Sequence, residues 1–191
     1  MIHPAPSLLL ALLFPALLAA CASPPAQHGH AHGPQAHQAG GHAHAAVTPY
    51  RGMQQREIKS LSPQEIADLQ AGRGMGLALA AALNGYPGPL HTLELAEPLK
   101  LSPEQQARTR EVFARMQVEA RALGAEVIAA ERALDALFKE RTVTAEKLAA
   151  ATDAAARAQG RLRAAHLRHH LQMMEVLAPE QVDAYQRLRG Y

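Results

Sequence analysis

The chain has 191 residues, a formal net charge of +2, 4% aromatic residues, no Trp and one Cys. So even a charge balance with so few rings provides neither the basic field nor the stacking surfaces of a nucleic-acid binder, and nucleic acid is excluded as a partner. A single cysteine cannot close an internal disulfide, so the fold has to stand on packing alone.

The first element is the apolar run Leu8–Ala20, "LLLALLFPALLAA", of 13 residues. A membrane-spanning helix needs roughly 20, so the run reads as an export signal and not a permanent span. The junction "LAAC", Leu18–Cys21, resembles the lipobox of bacterial lipoproteins, whose cysteine is lipidated and becomes the first residue of the mature chain. The resemblance implies a lipoprotein signal peptide over residues 1–20 and a lipid on Cys21. It also implies membrane attachment on the periplasmic side and, with Ala22 next, the outer membrane.

Residues 21–50 follow, rich in Ala, Gly, Pro, Gln and His, with no Lys, Arg, Asp or Glu. Such a segment buries too little apolar area to offset its ordering entropy, which predicts a disordered tether. Its six histidines, His28, His30, His32, His37, His42 and His44, stand partly in alternation. Alternate imidazoles can converge on one borderline ion, and Cu, Ni and Zn suit them.

From residue 51 to 191 a helical domain is expected. Three sites repeat one pattern: "LSPQE" from Leu61, "LSPEQ" from Leu101 and "LAPEQ" from Leu177. In the first two, Ser62 and Ser102 are placed as N-caps, Pro63 and Pro103 occupy the first helical position, and Glu65 and Gln105 complete capping boxes. In the third, Ala178 replaces the capping serine, and that helix starts with about 1 kcal/mol less support.

The first helix is expected from Pro63 to Leu83, weakened or interrupted by Gly72, Gly74 and Gly76 and stopped at "NGYPGP". A short segment, "LHTLELAEPL", leads into the next capping box. From Pro103 to about Glu140 the apolar positions Val112, Met116, Leu123, Val127, Ala130, Leu134 and Leu137 or Phe138 recur at helical steps. "RTVTAEK" breaks that pattern, Thr144 is the next N-cap, and a second long helix is expected from Ala145 to about Val176. The fold class is therefore all-α, a long antiparallel helical hairpin of coiled-coil character with shorter flanking helices. A lone hairpin leaves apolar surface wet, which the flanking helices or a second protomer must cover.

Metal chemistry concentrates in "AHLRHHLQMMEVL", Ala165–Leu177. Projected at about 100° per residue, Gly160, Ala164, Leu167, Leu171 and Met174 form the expected core stripe. His166, His170 and Met173 border it, and His169 points farther out. Imidazole with thioether suits copper, and imidazole with an added carboxylate suits nickel, cobalt or zinc. On the same helix Arg157, Arg161, Arg163 and Arg168 make a basic stretch between Ala154 and Met174 with no acidic residue. Such a surface either holds unfolded, partly acidic chains or pairs with Glu119, Glu126 or Glu131 of the preceding helix. No Ser/His/Asp order, phosphate-binding glycine loop or His-Glu-x-x-His motif occurs, so neither an enzyme nor an organic cofactor is expected.

The "LSPEQ" and "LAPEQ" motifs at helix starts, with the stretch "LNGYPGPLHTLELAEPLKLSPEQ", resemble the Spy/CpxP family of periplasmic LTxxQ-motif proteins over roughly residues 70 to 191. That family includes heavy-metal sensor and resistance proteins of the CnrX and ZraP type. The resemblance implies an antiparallel helical homodimer with a concave face, acting in envelope stress. It implies either metal sensing, buffering or resistance with Ni, Co, Cu or Zn, or ATP-independent chaperoning of unfolded envelope proteins, with a membrane signalling protein as a further partner. The metal-sensing branch carries a His-x-x-x-Met pair before its last motif, which His170 and Met174 match. It also carries a His-x-x-x-His pair before the earlier motif; here His91 is followed by Leu95, and Glu94, one turn from His91, is the candidate substitute.

Overall fold

The computed structural model describes residues 48–191; the expected signal peptide, Cys21 and the six histidines from His28 to His44 lie outside the described residues. After a short 3-10 turn at Met53–Gln55 come α1 (Pro63–Ala71), α2 (Leu79–Ala82), α3 (Pro89–Glu94), α4 (Pro103–Lys139), α5 (Ala145–Met173) and α6 (Pro179–Arg189). No strand occurs among the described residues.

Local chemistry accounts for the helix starts. Ser62 Oγ accepts the Glu65 N–H at 3.1 Å while the Glu65 carboxylate accepts the Ser62 N–H at 2.7 Å. Ser102 and Gln105 repeat the exchange at 3.1 Å each way. Thr144 Oγ1 accepts from Lys147 N–H at 3.2 Å at the head of α5. Ala178 has no side-chain acceptor, so only half of the box forms, with Gln181 Oε1 accepting the Ala178 N–H at 3.0 Å. The interruption expected between Pro63 and Leu83 is large. Gly72 takes a left-handed conformation (φ 68°) that ends α1, and helix resumes only for the four residues of α2.

The two long helices α4 and α5 pack against each other as the antiparallel hairpin, and α1 lies on α4. The approach is close: a Cβ on Gly124 would stand 2.4 Å from the Leu69 carbonyl oxygen, so only glycine is accommodated at that crossing. One apolar cluster, Ile58, Leu69, Ala120, Val127, Ile128, Ala158 and Leu162, fills the middle of the hairpin. A second, including Leu99, Leu101, Val112, Met173, Val176, Leu177, Val182 and Tyr185, fills the end where α6 folds back.

The repeated motifs meet in space at that second end. Gln105 Nε2 donates to Gln181 Oε1 at 2.7 Å and to the Val176 carbonyl at 2.9 Å. Gln181 Nε2 donates to Gln105 Oε1 at 3.1 Å and to the Leu99 carbonyl at 3.1 Å. The same two side chains that cap α4 and α6 therefore clasp the helix starts together.

The face of α5 differs from expectation. Its buried residues are Ala155, Ala158, Leu162, Ala165, His166, His169, His170 and Met173, whereas Gly160 and Ala164 are exposed, Leu171 is 56% exposed and Met174 41%. The helix is turned nearly half a revolution from the stripe drawn through its leucines, because small alanines admit α4 closely, and two of the inward histidines find hydrogen-bond partners, His169 in Glu119 of α4 and His170 in the Tyr86 carbonyl. His169, expected to point outward, is buried with its Nε2 3.1 Å from Glu119 Oε2 and its Nδ1 3.1 Å from Gln172 Oε1.

Candidate metal centre

The last two turns of α5 carry His166, His169 and His170 between the two apolar clusters. His170 Nδ1 lies 2.8 Å from the Tyr86 carbonyl oxygen in the α2–α3 connection. A carbonyl can only accept, so Nδ1 carries the proton and the neutral ring keeps its lone pair on Nε2. Burial pushes the His170 pKa below 6.5, more than the Tyr86 bond raises it, and the nearby rings of His91 and His169 add to the lowering. His170 is thus held neutral and ready to ligate. Its Nε2 makes no hydrogen bond among the described residues and is not sealed from solvent.

The segment opposite is fixed by its own bonds. Thr92 Oγ1 donates to the Gly88 carbonyl at 2.8 Å, and the Gly88 N–H donates to the Tyr185 hydroxyl at 3.3 Å. Burial holds that hydroxyl above its ordinary pKa of 10, outweighing the Gly88 bond, so Tyr185 is a neutral phenol. Gly88 also gives His170 its room: a Cβ there would stand 3.0 Å from Cε1 and 3.2 Å from Nε2 of the imidazole.

His91 sits on α3, with Nδ1 2.7 Å from Glu94 Oε2. The carboxylate accepts the Nδ1–H and leaves Nε2 without a partner among the described residues, as with His170. Glu94 therefore orients the His91 ring, as carboxylates and carbonyls commonly do behind metal-binding histidines. His91 and His170 share one cavity of about 320 Å³, whose wall also includes Met75, Leu79, Tyr185 and Arg189. No group of three or more His, Cys, Asp or Glu side chains placed to hold an ion occurs among the described residues. Among the described residues the two imidazoles stand as a pair.

The remaining expected site residues lie elsewhere. Met173 is fully buried in the second apolar cluster. Met174 caps α5 and is half-exposed, and it is not among the cavity-lining residues. His166 is 2% exposed, with its Nε2 sealed and without a hydrogen-bond partner. Of the four arginines, Arg161 pairs with Glu126, Arg168 with Glu119 at 3.0 Å and Arg157 with Asp153 at 3.6 Å. Arg163 has no ion pair among the described residues. Glu131 accepts from the Ser60 hydroxyl at 2.7 Å instead of from an arginine of α5. Burial opposes ionisation of Glu119, but its bonds to His169 and Arg168 win and keep its pKa below the ordinary value.

Sequence reasoning missed the Tyr86 carbonyl, Gly88, Tyr185 and Met75. "RGMGL" was visible only as a weak point in a helix, and its one large apolar residue between two glycines was the available signal.

Compared with protein families, residues 74–184 match the family described as heavy-metal resistance. No curated protein and no solved structure matches the chain.

Proposed function

The chain belongs to the heavy-metal resistance family, within the Spy/CpxP-like helical group, and from that premise we propose that it binds transition-metal ions at the His91–His170 cavity. The observation that carries the reading is the matched state of the two imidazoles. Each has Nδ1 committed to a fixed acceptor, Tyr86 O or Glu94, and each keeps Nε2 free at a shared cavity. Two preoriented imidazoles suit Cu, Zn, Ni or Co, and the protein's contribution is to hold them in place before the ion arrives.

In this proposal the chain is exported, anchored by a lipid on Cys21 and exposed to the periplasm, where the six histidines of residues 21–50 collect ions loosely. It buffers or senses the metal there as a homodimer. Chaperoning of unfolded proteins has less support, because Arg157, Arg161 and Arg168 are engaged with acidic side chains.

The test is equilibrium titration with Cu, Zn, Ni and Co of the full chain in which the six histidines from His28 to His44 are replaced by asparagine. A saturable site with fixed stoichiometry, lost in His170→Ala, is the expected result. Unchanged binding in His170→Ala would put the ion elsewhere. For the anchor, Cys21→Ala should move the protein from the membrane fraction to the soluble one, and persistent membrane attachment would refute lipidation.

A further inference from the structure

Resting on that reading of the His91–His170 cavity, we propose that Met75 supplies its third protein ligand, a thioether, and that the site is built for a soft, singly charged ion, Cu(I). Met75 lines the same cavity as both histidines. It is 42% exposed, so its side chain is not core filler. The residue expected to bring sulfur, Met174, lies at the end of α5 away from the cavity wall.

The backbone at Met75 points the same way. It has φ of 46°, a left-handed conformation that costs an ordinary residue about 1–2 kcal/mol, although Gly74 and Gly76 stand on either side. A glycine at 75 would remove that cost. Strained residues of this kind persist where the surroundings hold them and cluster at ligand sites. Here the strain is attached to the one sulfur on a wall with two free imidazole nitrogens.

The donor set then selects the ion. No Asp or Glu side chain lines the cavity wall among the described residues; Glu94, bonded to His91 Nδ1, lies near enough to act on the Arg189 charge. Arg189 lines the wall as a permanent cation. Repulsion from that guanidinium scales with the charge of the ion, so it acts on a dication with twice the force it exerts on a monocation. Two imidazoles and an uncharged thioether give a softer ligand set than carboxylates would. A thioether beside two imidazoles favours Cu(I) over Zn, Ni and Co, and the Arg189 charge weighs more on a dication than on Cu(I).

The experiment uses the full chain with the six histidines from His28 to His44 replaced by asparagine, as wild type elsewhere and with Met75→Leu, Met174→Leu or His170→Ala. Cu(I) affinity is measured under reducing conditions against a chromophoric Cu(I) chelator, Zn affinity against a zinc indicator, and X-ray absorption reports sulfur in the copper shell. The expected result is a copper–sulfur signal that survives Met174→Leu and vanishes in Met75→Leu, with Cu(I) affinity down about tenfold or more and Zn affinity nearly unchanged. A wild-type copper shell without sulfur overturns the proposal whatever the variants do. So does sulfur that disappears with Met174→Leu instead. If no ion is held in a His170-dependent way, the reading of the cavity as a metal site fails as well; a His170-dependent site indifferent to Met75 sinks the thioether alone.

Discussion

At the scale of the residue, the absence of a side chain at position 88 governs the centre. Gly88 has φ −88° and ψ 143°, dihedrals any L-residue accepts, so its requirement is spatial and not conformational. Gly88→Ala would put a methyl 3.0–3.2 Å from Cε1 and Nε2 of His170. The ring must shift or have its free nitrogen crowded. Metal affinity should fall by about tenfold while far-UV circular dichroism stays as in wild type; unchanged affinity would mean that Nε2 of His170 is not the coordinating atom.

His166 makes the opposite prediction, about stability. Its ring is buried, and burial first, then the neighbouring His170 and His169, push its pKa below 6.5 against a smaller upward pull from Glu119. The native state therefore binds fewer protons than the unfolded chain as pH falls below about 6.5. This contribution is fully present above that pH and is lost on acidification until the lowered native pKa is passed; His170, shifted the same way, adds to it. His166→Leu removes one titrating group and a sealed nitrogen without a partner. In metal-free protein its melting temperature should fall less between pH 6.5 and 5 than that of wild type, and equal slopes would contradict the assignment.

At the scale of the element, the clasp between Gln105 and Gln181 gives the repeated motif a structural meaning beyond capping. Gln105→Leu strips a donor from the Val176 carbonyl and leaves the Gln181 amide half-satisfied in a partly buried site. The loss should be about 1–3 kcal/mol in urea unfolding. Gln181→Leu should cost a similar amount, and the double variant less than the sum, because the second change removes a group already orphaned. Strict additivity would mean that the two amides act independently.

The same elements show what was legible in the sequence. The starts of α1, α4, α5 and α6 were readable because capping is settled within four residues, and the face of α4 from Val112 to Val127 because no polar residue competes for it. The face of α5 was not. Hydrophobicity alone favoured Leu167, Leu171 and Met174, while the helix turns inward through histidines whose partners, Glu119 and Tyr86, lie 50 and 84 residues away. Of the candidate residues, His170 was singled out by residue type and helical spacing, and His91 and Glu94 only through the resemblance to the metal-sensing branch. Met75 was not, since a loop brings it to the cavity and no helical period marks it.

At the scale of the whole molecule, the cavity sits where separate parts of the chain converge: the Gly74–Gly76 loop, α2, α3, the end of α5, and α6 with Tyr191. Short elements between α1 and α4 are tied to the rest by the His170–Tyr86 and Tyr185–Gly88 hydrogen bonds. An ion held by His91 and His170 would add a bond between α3 and α5, and it would do so only in the folded state. At a free concentration one hundred times Kd, mass action stabilises the native state by about 2.7 kcal/mol. For a body of this size that corresponds to a rise in Tm of roughly 5–10 °C. In the chain lacking the six histidines from His28 to His44, that rise should accompany slower amide exchange across residues 79–94 and disappear in His170→Ala. The exchange result is the more discriminating one, because an ion bound elsewhere on the surface would raise Tm without protecting the segment that carries His91.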